Sequence, residues 1–198
     1  MEQRLQEACA RGGVRAIVLR AGDYFGPQAV NSWFAQGLVR PGKVVKMIRQ
    51  PGTPGAGHAW AYVPDVAQTL VRLLAERHRL PAFARLHLAG HWDEDGAQMA
   101  RHIARALQRR GITPRVRRFP WWLVRAAAPF AALPRELLEM RYLWREPLRL
   151  DNARLSAVLG EEPHTPWPAA VQATLAGLGC LPHPQTAPRP PAPTAATR

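Results

Sequence analysis

The chain has 198 residues, 47% of them hydrophobic, which suits one globular domain and excludes a disordered polymer. Its 27 Lys and Arg against 14 Asp and Glu give a formal charge of +13, a balance that favours anionic partners. All the cations except Lys43 and Lys46 are arginines, scattered from Arg4 to Arg198 with no run longer than a pair. That skew reads as the codon habit of a GC-rich genome, so nucleic acid is not the expected partner. Cys9 and Cys180 are too few for a secreted disulfide scaffold, and the first residues lack the apolar stretch of a signal peptide. The most apolar segment, 119–133, is broken by Pro120, Arg125 and Pro129 and falls short of the about 20 residues a spanning helix needs. A soluble, cytoplasmic protein with reduced thiols is the expectation.

In chain order, residues 2–11 read as the end of a helix, with Leu5 and Cys9 on one face and Gly12-Gly13 as the stop. No capping residue precedes it, so the helix begins already under way. Residues 14–19 form an almost continuous apolar run of strand length, the pattern of a parallel strand buried on both faces. The turn 21–27 follows, at the end of a strand where open α/β sheets bind ligands. Residues 41–57 are rich in glycine and proline around a short strand at 44–48. Residues 58–63 read as extended, and Pro64-Asp65 offers a cap to a helix with Val66, Leu70, Leu73 and Leu74 as its apolar stripe.

Residues 85–89 are a further strand. Asp93, Glu94 and Asp95 then place negative charge at the start of a helix that buries Ala100, Ile103, Ala104 and Leu107. Residues 115–119 are a third strand after the first two. Strands alternating with helices in this way point to βαβ units, an α/β fold with a partial Rossmann-like parallel sheet and a mainly helical remainder. Pro134 opens a helix with Leu133, Leu137, Met140 and Trp144 inward, and another near Pro166 turns Trp167, Val171 and Leu175 inward. The expected domain is 1–177, with a proline-rich disordered tail over 178–198.

Three motifs stand in order along this frame. Residues 18–27, Val-Leu-Arg-Ala-Gly-Asp-Tyr-Phe-Gly-Pro, end in aromatic-Gly-Pro; residues 60–67, Trp-Ala-Tyr-Val-Pro-Asp-Val-Ala, lead from strand into helix; Leu86-His87-Leu88-Ala89-Gly90 precedes the acid-capped helix. On these residues the chain resembles the C-terminal half of extended short-chain dehydrogenase/reductase proteins, the NAD-dependent epimerase/dehydratase family. The resemblance implies NAD or NADP as cofactor of the complete form and a small-molecule substrate. It implies Gly22, Asp23, Tyr24, Phe25, Gly26 and Pro27 at the cofactor edge. Trp33, His58, Trp60 and Trp122 are expected at the substrate, within pocket-shaping segments 28–58 and 119–145.

Two motifs of that family are missing. Its chemistry uses a Tyr-x-x-x-Lys pair, but Tyr24, Tyr62 and Tyr142 are followed four positions on by Gln28, Val66 and Glu146. The cluster Gly52, Gly55 and Gly57 is interleaved with prolines and precedes an extended segment, so it is a loop and not a dinucleotide fingerprint. The resemblance places both motifs upstream of Met1, which is expected to be internal to a longer reading frame. No catalytic residue is therefore expected in these residues.

A cut between the fifth and sixth strands leaves an unpaired sheet edge, through which the chain should self-associate. The alternative reading is a non-catalytic basic anion-binding or interaction module. His87 and His91 are not expected to share a metal, since residues four apart on a strand are about 13 Å from one another unless Gly90 turns the chain. Residues 119–125, with Trp121 and Trp122 among arginines, suit a membrane surface, but packing on the sheet or lining a pocket is preferred.

Overall fold

The computed structural model describes residues 1–181. Most of the expected proline-rich tail, 182–198, lies outside the described residues, whereas Leu178 and Cys180 at its start are packed in the core.

Helix α1 (Glu2–Ala10) and strand β1 (Ala16–Arg20) stand where the sequence places them. Only Cys9 of α1 is buried, and Leu5 is exposed. Strand β1 runs parallel to β5 (Phe83–His87) in register Ala16 to Phe83 through Arg20 to His87. No second strand adjoins β1 among the described residues, so Ile17, Val18 and Leu19 are half-buried where burial on both faces was expected.

The segment expected as a plain turn contains β2 (Asp23–Phe25), parallel to β4 (His58–Tyr62). Gly22 makes this possible: a Cβ there would fall 2.2 Å from the Ala59 carbonyl oxygen, so only glycine lets the chain leave β1 and meet β4. On the other side of β4, Gly90 sits at φ +59°, with room for no Cβ beneath the Trp60 carbonyl. It turns the chain from β5 into β6 (His91–Asp93), which pairs antiparallel with β4. The third sheet joins β3 (Met47–Gln50) to β7 (Arg115–Arg118), again parallel. The strand pairing βαβ patterning predicts is thus present, divided into three small sheets.

Helix α2 (Val63–Ala75) starts before the expected cap, and Asp65 lies inside its first turn. The buried Asp65 carboxylate instead accepts from the Thr165 N–H at 2.8 Å and the Thr165 hydroxyl at 2.6 Å. The helix buries Val66, Thr69 and Leu73, leaving Leu70 and Leu74 of the expected stripe exposed. Helix α3 (Gln98–Gln108) is closer to expectation. Asp93 accepts from the N–H groups of Gln98 and Met99, Asp95 accepts from Ala97 N–H, and Ile103 and Leu107 are fully buried.

Beyond β7 come α4 (Trp121–Ala127), α5 (Ala132–Glu139), a 3-10 turn Met140–Trp144, α6 (Ala153–Leu159) and α7 (Trp167–Gly177). Trp144 points inward as expected, but Leu133 and Met140 are exposed. The main core joins Phe25, Trp60, Ile103, Val171 and Leu175 between the β2–β4–β6 sheet, α3 and α7; a second lies around Leu73, Leu86 and Leu155. Among the described residues, no helix is long and apolar enough to cross a membrane.

Candidate functional site

The carboxyl end of β1 opens onto a cleft, the position at which parallel α/β sheets present ligands. One wall is the chain leaving β1, residues 21–24; the floor is His58 and Ala59 at the start of β4. Met140, Leu143, Leu148 and Leu150 close the far side around about 310 Å³. A more open groove of about 700 Å³ shares Ala21, Tyr24, Leu148 and Leu150 with it and reaches Arg20, His87, Arg149 and Asp151.

Asp23 and His58 form the polar centre of this cleft. The His58 Nε2 lies 2.8 Å from the Asp23 Oδ2, its Nδ1 lies 3.1 Å from the Leu143 carbonyl, and its ring stacks on Trp144 at 3.7 Å. Both ring nitrogens lie within hydrogen-bond distance of an oxygen, so the ring is held from two sides. The histidine thereby ties the 140–144 wall to β2 and β4 and fixes the Asp23 carboxylate at the cleft. That carboxylate can accept a hydrogen bond from a ligand hydroxyl. Tyr24, nearly half exposed, borders both compartments.

The expected run 22–27 divides. Gly22, Asp23 and Tyr24 line the cleft, while Phe25 is fully buried against Phe34, Tyr62, Trp167 and His91. Gly26 is buried behind Val63, and Pro27 packs on Gly177 of α7. Of the residues expected at the substrate, only His58 reaches the cleft. Trp60 is a core residue, Trp33 packs among Phe119, Trp121 and Trp144, and Trp122 is exposed on α4. Ala21 belongs to the turn expected to face a ligand, whereas Ala59, Leu148 and Leu150 were not foreseen. The alternation of Leu148 and Leu150 was their one sequence signal, in a stretch without regular structure.

Arg20 forks onto the Glu2 carboxylate at 3.0 and 2.8 Å, joined there by Arg85, and so secures α1 to the strands. Gly90 does turn the chain between His87 and His91, but the His91 Nε2 is occupied by the Thr165 carbonyl at 2.7 Å while His87 borders the groove.

The chain has a Rossmann-like α/β fold, and solved structures of epimerases and NAD(P)-bound proteins are similar to it. RMD from Pseudomonas aeruginosa complexed with NADPH is 17% identical, with TM-score 0.57 over 90% of this chain and 52% of that one. UDP-glucose-4-epimerase from Stenotrophomonas maltophila with bound NAD and formylated UDP-arabinopyranose is 14% identical, with TM-score 0.57 over 89% and 52%. A UDP-galactose 4-epimerase is 15% identical, with TM-score 0.56 over 90% and 50%. The chain thus spans about half the length of the structures it matches. No protein-family model matches it, nor does any curated protein sequence.

Proposed function

We propose that the chain is the substrate-side portion of an NAD(P)-dependent oxidoreductase or epimerase-type protein of the cytosol, inactive by itself. The observation that carries this reading is the cleft at the carboxyl end of β1, walled by the 21–24 backbone and centred on Asp23 and His58. The residues present fit the substrate and nicotinamide edge of such a site and not the pyrophosphate, for which no glycine-rich strand-to-helix turn exists in the sequence. Bound NAD or NADP would supply or accept a hydride. The residues here would orient a small hydroxyl-bearing substrate: Asp23 accepts its hydroxyl, His58 holds Asp23 in place, and Tyr24, Leu148 and Leu150 exclude water.

The test is a fluorescence titration of NADH and NADPH with the purified 198-residue chain. The expected result is no saturable binding in the micromolar range. Tight stoichiometric binding would overturn the assignment to the substrate side alone.

A second reading, a non-catalytic anion-binding module, is favoured by one observation. Residues 24–64 and 96–135 contain no acidic side chain, and the pairing of β3 with β7 sets these two stretches side by side.

A further inference from the structure

Strand β7 runs through Phe119 and Pro120 straight into α4. Trp121 turns inward: its indole Nε1 donates to the Pro51 carbonyl at 2.8 Å, and its ring rests against Phe119 and Trp33 with the Arg141 guanidinium over it. After this anchor Ala128 is buried, but the large apolar side chains face outward. Trp122 is 70% exposed, Leu123 49%, Phe130 88% and Leu133 65%, and neither α4 nor α5 buries a residue. Trp122, Leu123 and Ala126 share one side of α4 by helical spacing, and Phe130 and Leu133 follow at the turn into α5.

The charge around this apolar tip has one sign. Residues 96–135 hold arginines at 101, 105, 109, 110, 115, 117, 118, 125 and 135 and no acid. All four residues of β7 are exposed, and β3 sets Arg49 beside Arg117. Among the described residues, Arg101 with Asp95 is the one ion pair of this stretch; Arg115, Arg117, Arg118 and Arg125 have no carboxylate within 4.0 Å.

We propose that β7, α4 and the start of α5 form a docking face for an anionic lipid surface. Exposed Trp, Leu and Phe gain by entering the boundary between headgroups and acyl chains, and arginines beside them meet the lipid phosphates. Nucleic acid would use the arginines and stack on Trp122, but it offers no apolar phase to Leu123, Phe130 and Leu133. The inference rests on the anion-binding reading only for the sign of the partner's charge and is independent of the cleft.

The experiment is flotation of the full chain with phosphatidylcholine vesicles, with or without phosphatidylglycerol, beside a duplex-DNA shift assay. The chain should float with the anionic vesicles and not with the zwitterionic ones. Trp122→Ser with Phe130→Ser should lower the vesicle-bound fraction roughly tenfold, and Arg117→Glu with Arg118→Glu should abolish the preference for anionic lipid. Both variants should keep the parent circular dichroism and melting curve, since the altered side chains are exposed. Leu70→Ser with Leu74→Ser, on the separate apolar face of α2, should float like the parent. Failure to float, or undiminished flotation of the Trp122 and Phe130 variant, overturns the proposal. DNA binding without vesicle binding overturns it too but leaves the anion-binding reading standing; binding to neither removes both.

Discussion

Asp65 before an amphipathic run has the signature of a cap, but its carboxylate is satisfied by Thr165, a hundred residues further along the chain. Gly22 was expected to let a cofactor approach the backbone; the structure shows that the carbonyl of Ala59 leaves no room there for a side chain. His91 shows the electrostatic side of the same problem. Its Nε2 faces the Thr165 carbonyl, its Nδ1 has no partner among the described residues, His164 stacks on it at 4.4 Å, and Asp65 and Glu162 are the nearby acids. Burial holds its pKa below the usual value of 6.5, helped by the neighbouring His164 and opposed by the Thr165 bond and the two acids.

The unfolded chain therefore takes up this proton first as pH falls. Stability should decline from about pH 6.5 downward and level off below the folded-state value. His102, also lowered chiefly by burial, adds in the same direction. Urea unfolding between about pH 7 and pH 5 should show a falling midpoint, with a shallower slope in His91→Phe. An unchanged slope in that variant would remove His91 from the explanation.

Among the elements, those with both a period and a terminator were readable. Helix α3 is the clear case: acids before it, Ile103 and Leu107 inside it, and backbone amides on Asp93 as the charge pattern implied. Burial pushes the Asp93 carboxyl above its ordinary pKa, while the Met99 and Gln98 amides pull it down. Asp93→Ala should thus cost about 1–2 kcal/mol, the usual worth of a cap. In a chain of this size that is a fall of roughly 2–8 °C in Tm, and a melt matching the parent would show that desolvation cancels the cap. Strands β2 and β6 escaped notice because three residues carry no period; β4 imposes them through its hydrogen bonds. Residues 119–125 and the helix at Pro134 were expected to pack by their apolar residues, yet Trp121 alone holds the start of α4, and Trp122, Leu123 and Leu133 remain outside.

On the scale of the whole molecule, the parallel α/β class was legible from the alternation of runs and the order of three motifs. The division into three small sheets was not, since it follows from which strands have neighbours. Strand β1 illustrates this. Ala16 donates to Ala82 and Arg20 accepts from Leu88, so residues 16, 18 and 20 face β5. Ile17 and Leu19 direct their N–H groups to the other edge, which no described strand covers. We propose that this edge seats a further strand and that, without one, two copies of the chain meet there.

Amide hydrogen exchange resolved along β1 addresses that edge most directly. At a dilution where the chain sediments as a monomer, Ile17 and Leu19 should exchange roughly a hundredfold faster than Val18, and they should become protected as concentration drives self-association. Equal, slow exchange of all three amides in the dilute monomer would mean that β1 is already paired on both sides, and the reading of the chain as one part of a larger sheet would be wrong.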